Sequence, residues 1–183
     1  TLNYGENDDC RGWLLGEENK GLSHMFQLMN DARINTGSQA VSGASSAYHC
    51  ALEYARDRVQ GRELTDKDPT SPPVPIIRHP DVRRMLLHQK AFVEGSLGLI
   101  LYASSLNDRI RVTEDDDERK RLNLILDVIT PVIKAHGSEA GFESITLALQ
   151  CYGGAGYTEE VPVAQLLRDN KVYSIYELYL IQL

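Results

Sequence analysis

Between Leu22 and Gln60 the chain runs without a proline, and five alanines recur at steps of three and four: Ala40, Ala44, Ala47, Ala51 and Ala55. That spacing puts them on one face of a helix. Small side chains on such a face let a second helix approach closely. Leu22, Met25, Phe26, Met29 and Ala32 or Arg33 step in the same way upstream. Wholly helical, the segment is about 55 Å long at 1.5 Å per residue. A helix of that length commits the chain to an architecture of long packed helices.

The remaining sequence divides at its own punctuation. Gly61 to Ile77 holds Pro69, Pro72, Pro73 and Pro75 and reads as a loop. After His79, Pro80 sits at a favoured first-turn position. Val82, Met85, Leu86, Gln89, Val93, Leu97, Ile100 and Ala103 or Ser104 give the next stripe. The acidic run Glu114–Glu118 marks a helix start, because carboxylates favour a helix N-terminus. Leu122, Ile125, Ile129, Val132, Ile133 and His136 form a third stripe, with Pro131 a candidate kink. It continues through Phe142, Ile145 and Leu149 and stops at Cys151–Tyr157, and a last helical piece runs from Pro162 to about Val172. The expected fold is all-α: an antiparallel four-helix bundle, preceded by a strand remnant at Arg11–Leu15.

Composition bounds the function. In 183 residues, 19 Lys and Arg stand against 26 Asp and Glu, a net charge of −7. Such a chain is a poor general binder of nucleic acid or anionic membrane. Arg78, Arg83, Arg84, Lys90 and Arg119–Arg121 are too sparse to reverse that. The most apolar stretch, Leu97–Ala103, is far shorter than the ~20 residues of a membrane span. Cys10, Cys50 and Cys151 form no disulfide framework or zinc spacing, which suits a cytoplasmic setting. The five histidines show no i,i+4 metal pair and read as structural or exposed, so no metal is expected. The opening at Thr1 reads as part of a longer protein.

Three segments carry a resemblance. They are GWLLGEENKGLSHMFQLMNDAR (12–33), YARDRVQGR (54–62) and QCYGGAGYTEEVPVAQLLRDNKVYSIYE (150–177). Together they resemble the C-terminal helical domain of the acyl-CoA dehydrogenase family. HPDVRRMLLHQKAFVEG (79–95) and the loop before it look like the subfamily that includes 3-methylmercaptopropionyl-CoA dehydrogenase. The resemblance implies that residues 1–20 are the tail of a middle β-domain with its linker, and that 21–183 are the C-terminal bundle. It implies FAD as cofactor, an acyl-CoA substrate, electron-transfer flavoprotein as electron acceptor, and a homodimer or homotetramer sharing flavin across a subunit boundary.

The implied reaction forms a double bond between the α and β carbons of the thioester. A carboxylate takes the α-proton, and the β-hydrogen leaves as hydride to the flavin. By resemblance that base is Glu177 in Ile-Tyr-Glu; the family's alternative position, on the first long helix, is Ala32 here. Where the family continues Gly-Thr after the glutamate, this chain has Leu178-Tyr179. Arg58 and Gln60 match the family's Arg-x-Gln segment, whose arginine reaches the flavin pyrophosphate of a neighbouring subunit. Guanidinium suits phosphate through its planar donor fork. Gln150, Gly153 and Gly154 match the segment lying against the adenosine part of the flavin. Asn30 and Arg33 match the helix lining the acyl-CoA cavity.

Each residue also has a plain structural reading. Arg58 fits a helix C-terminus, the glycines a helix C-cap, Arg33 an ion pair inside the bundle, and Cys151 a small buried side chain. Two functions stay open on these residues. One is a domain of a flavin-dependent acyl-CoA dehydrogenase, inactive as an isolated chain. The other is a non-catalytic helical-bundle assembly module.

Overall fold

A computed structural model describes residues 2–176, apart from the side chains of Phe26, Gln27 and Asn30. Its elements are α1 (Gly21–Asp57), a 3₁₀ turn (Ile76–Arg78), α2 (Pro80–Val112), α3 (Asp116–Tyr152), α4 (Gly154–Tyr157) and α5 (Pro162–Ile175). The four main helices and the breaks between them match the sequence expectation. Asp115 caps α3, its carboxylate accepting from the amides of Asp117 (2.9 Å) and Glu118 (3.2 Å), so the acidic run is a helix start. Pro80 opens α2, and Pro131 lies inside α3 without ending it.

Ala40, Ala44, Ala47, Ala51 and Ala55 of α1 are all completely buried. The last four pack with Val41, Ile133, Ile145, Ala148 and Val163 in one core that also takes Met85, Leu86, Phe92, Val93 and Ile100 from α2. Helices α1 and α3 approach closely. A Cβ built on Gly37 would stand 2.7 Å from the Ile133 carbonyl oxygen, and one on Gly137 would stand 3.2 Å from the Gly37 oxygen. Helix α5 crosses this pair, and buried Asn170 donates to the Ala40 carbonyl at 2.8 Å.

Two local expectations need correction. Residues 11–15 form no strand, and Trp13, Leu14 and Leu15 are exposed. A strand requires a ladder partner, and the only bridge among the described residues joins Val59 to Pro75. The α3 stripe is also rotated from its expected setting. Val132 is exposed, as is His136, while Thr130, Lys134, Gly137, Ser138 and Ser144 are buried. The seam against α1 is tight, so it selects for small residues, and two of the hydroxyls there bond back to their own helix: Thr130 to Leu126 (2.7 Å) and Ser138 to Ala135 (3.1 Å).

The proline-rich loop is closed at its neck. Gln60 N–H donates to Val74 O (2.9 Å), Val74 N–H to Gly61 O (3.0 Å) and Ile76 N–H to Arg58 O (2.8 Å). Pro75 has no N–H to give, so its neighbours supply the bonds. The neck holds residues 58–61 in a fixed place after α1 ends.

Candidate functional site

Helix α1 ends where Arg58 turns extended, its N–H still bonded to Tyr54 O at 2.8 Å. The neck then carries Arg58 and Gln60 toward the end of α3. There α3 stops at Gly153, with φ 59° and ψ −139°. The φ is positive, as a glycine stop predicts, but the ψ lies outside the left-handed helical region. A side chain is strained there, although nothing crowds the position. Helix α4 then folds back so closely that a Cβ on Gly156 would meet the Leu149 carbonyl oxygen at 2.6 Å.

These ends enclose a cleft of about 720 Å³. Arg58, Gln60, Gln150, Gly153 and Gly154 all line it, so the five residues proposed for cofactor contact converge on one place. Its wall is made by Tyr54 and Tyr152, whose rings stack with centroids 4.2 Å apart and planes 21° from parallel. The Tyr152 hydroxyl donates to Cys50 O at 3.1 Å, and burial raises its pKa above the ordinary tyrosine value. Among the described residues no Asp or Glu lines the cleft, although the chain is acidic overall. The Arg58 guanidinium is exposed there and has no carboxylate partner among the described residues.

His79 also lines the cleft, with Nε2 2.7 Å from the Gln60 carbonyl oxygen. That bond fits the structural role the sequence suggests for His79, and it also puts the ring beside the cleft. Its proximity to Gln60 depends on loop closure and leaves no mark in the local pattern. Cys151 is buried beside the cleft, and burial pushes its thiol up to about 11, so it is not a thiolate near neutrality. That agrees with reading it as a packed side chain.

The remaining site residues lie elsewhere. Arg33 is half-buried on α1 and has no carboxylate partner among the described residues, so the ion pair expected of it is not formed there. From Arg33 to Asp57 the helix runs about 36 Å, which puts Arg33 far from the cleft. It stands one turn before Gly37, which packs on Ile133. Next to Ile133, buried Lys134 donates from Nζ to the carbonyl oxygen of Tyr176. The Asn30 side chain and Glu177, with Leu178-Tyr179, lie outside the described residues.

Comparison with known proteins decides the family. Residues 19–177 match the family model for the acyl-CoA dehydrogenase C-terminal domain. The chain belongs to the acyl-CoA dehydrogenase family. It is 41% identical over 182 residues to a butyryl-CoA dehydrogenase of Syntrophomonas wolfei, covering 97% of this chain and 30% of the relative. It is 40% identical to the 3-methylmercaptopropionyl-CoA dehydrogenase of Ruegeria pomeroyi, covering 94% of this chain and 29% of that one. The structure of butyryl-CoA dehydrogenase from Megasphaera elsdenii superposes with a TM-score of 0.70 at 28% identity, covering 89% of this chain and 36% of that chain. The chain thus spans about a third of the length of such relatives, as their C-terminal helical domain. No helix among the described residues is long and apolar enough to cross a membrane.

Proposed function

We propose that this chain is the C-terminal domain of a flavin-dependent acyl-CoA dehydrogenase, with its cleft holding the phosphate and adenosine portion of FAD. One observation carries the reading: two segments some ninety residues apart in sequence bring Arg58, Gln60, Gln150, Gly153 and Gly154 onto one cleft that no described carboxylate lines. An exposed guanidinium beside neutral amides and glycine backbone is a donor set suited to a pyrophosphate. The stacked Tyr54–Tyr152 pair supplies a flat apolar wall at the same place.

The chain's own residues divide the work. Glu177 accepts the α-proton of the acyl thioester as the β-hydrogen leaves with its electron pair, and the α,β double bond forms. When bound, the flavin supplies the hydride acceptor for this chemistry. A catalytic carboxylate in a site closed to water gains basicity toward the operating pH, which is what this role requires. Asn30 and Arg33 serve the acyl-CoA cavity. Arg33 and the Arg58 cleft lie about 36 Å apart along α1, which supports a shared arrangement: the cleft serves a flavin whose reactive end belongs to a neighbouring subunit. The exposed apolar residues Leu124, Val128 and Val132, one turn apart along α3, suit burial in such an assembly. Residues 1–20 form the tail of a preceding β-domain, and electron-transfer flavoprotein reoxidises the enzyme.

The test uses the enzyme containing this chain with the preceding domains of its family. Glu177→Gln keeps the side chain's shape and removes its basicity. The variant retains flavin and loses turnover. Retained turnover overturns the assignment of the base. The 183-residue chain alone does not hold stoichiometric flavin, because Arg58 and Gln150 offer only the edge of a site. Tight flavin binding with bleaching by acyl-CoA would show the bundle to be self-sufficient.

A further inference from the structure

Lys134 is the largest fully buried side chain among the described residues, at 1% exposure. An ammonium is costly to bury without hydrogen bonds. The core seam around it would be served more cheaply by an apolar residue of similar length. Its Nζ donates to the carbonyl oxygen of Tyr176, across from α3 to the end of α5. Tyr176 is where the chain leaves α5: its N–H makes a last bond to Val172 O at 2.8 Å, and its φ and ψ, −71° and 127°, are extended. A helix C-terminus presents unpaired carbonyls and the negative end of its dipole, so a cation there is favoured.

The bonded oxygen belongs to the peptide unit joining residues 176 and 177. A peptide unit is planar, so holding its oxygen fixes the plane in which the chain leaves the helix. The other anchor of α5 is Asn170, which donates to Ala40 O on α1 at 2.8 Å. Helix α5 is thus tied to α1 in its middle and to α3 at its exit. The α3 anchor is itself rigid, because Ile133, next to Lys134, carries the backbone oxygen against which Gly37 packs.

We propose that Lys134 is a positioning residue: through the Tyr176 carbonyl it sets the exit of α5, the backbone from which the proposed base Glu177 follows directly in sequence. The catalytic half of this inference rests on Glu177 being the base. Lys134 itself touches neither substrate nor cofactor in this role. Its side chain acts as a buried strut between a rigid helix seam and the last peptide carbonyl of α5's exit.

Three measurements test it. In the wild-type chain, labelled with ¹⁵N and ¹³C, the Lys134 Nζ resonance should show coupling across the hydrogen bond to the Tyr176 carbonyl carbon; its absence overturns the contact. Lys134→Met keeps the length and removes the charge. Amide exchange at residues 172–176 should rise roughly tenfold, with α1 and α2 unchanged, and Lys134→Arg should restore most of the protection. Unchanged exchange, or an equal rise throughout the bundle, overturns the positioning role. Should Lys134→Met fail to fold, the wild-type coupling and the Lys134→Arg exchange decide.

In the flavin-loaded enzyme containing this chain, Lys134→Met should lower kcat by up to about 100-fold. KM and flavin content should stay as they were, and Lys134→Arg should recover part of the rate. Glu177→Gln separates the two claims. If that variant keeps its turnover, the base assignment fails and the exchange result still stands. If it is inactive while Lys134→Met is fully active, the positioning claim fails.

Discussion

His79 Nε2 lies 2.7 Å from the carbonyl oxygen of Gln60, so the residue that caps α2 also holds the strand-like neck that follows α1. Between them the chain makes its whole proline-rich excursion. The bond works with the neck's three backbone bonds to keep Arg58 and Gln60 facing the end of α3. His79→Ala should cost about 1 kcal/mol of stability, the net value of one such bond. Exchange of the Gln60 and Val74 amides should rise more than exchange within α1. Measuring both by urea titration and amide exchange checks whether His79 holds the neck or merely lies beside it.

Cys151 gives a prediction in the alkaline range. Burial raises its folded-state pKa from 9.0 to about 11. Below pH 9.0 the thiol is protonated in both states, and its contribution to stability is complete. Between 9.0 and 11 the unfolded chain releases the proton and the folded chain keeps it, so stability falls as pH rises. Beyond 11 both states ionise and the contribution is lost. Urea midpoints across this window should fall less steeply in Cys151→Ala than in wild type. At pH 8 a thiol reagent should modify exposed Cys10 quickly and Cys151 only as the fold opens.

Gly37→Ala addresses the α1–α3 seam. The added Cβ would stand 2.7 Å from the Ile133 carbonyl oxygen, which is backbone and has no rotamer to change. The helices must separate, at a cost of about 1–3 kcal/mol. For a domain of this size that lowers Tm by about 2–4 °C per kcal/mol. Gly98→Ala on α2, where an added Cβ meets nothing, is the matched control and should leave Tm unchanged or raise it.

The bundle was legible because its signals are local. Ala40 to Ala55 name a helical face by spacing alone, and Pro80, the acidic run at 114–118 and Gly153 mark ends by backbone chemistry that acts within a turn. The rotation of α3 was hidden because Lys134, Thr130 and Ser138 are polar by type and buried by tertiary contact. Hydropathy assigns such residues to the solvent face, and only the proximity of α1 reverses that. The cleft was half legible. Arg58, Gln60, Gln150 and the glycines came from family motifs, but His79 and the Tyr54–Tyr152 stack join the site through long-range closure of the chain. One-turn helix α4 was read as part of a break, since four residues carry no periodicity.

The last prediction separates charge from geometry at Arg58. Its guanidinium is exposed at the rim of the cleft and makes no ion pair among the described residues, so removing it should leave the stability of the bundle within about 0.5 kcal/mol. Its effect should appear in flavin retention by the enzyme containing this chain. Arg58→Ala removes both the charge and the donor fork, and should weaken flavin binding by roughly 10- to 100-fold, the worth of a charge-assisted bond. Arg58→Lys keeps a point charge and loses the planar pair of donors. It should fall between wild type and Arg58→Ala, with binding that weakens more steeply as salt rises. Flavin titration of the three proteins at two ionic strengths measures this order. Equal affinity in all three would remove Arg58 from the phosphate site and return it to a surface residue at the end of α1.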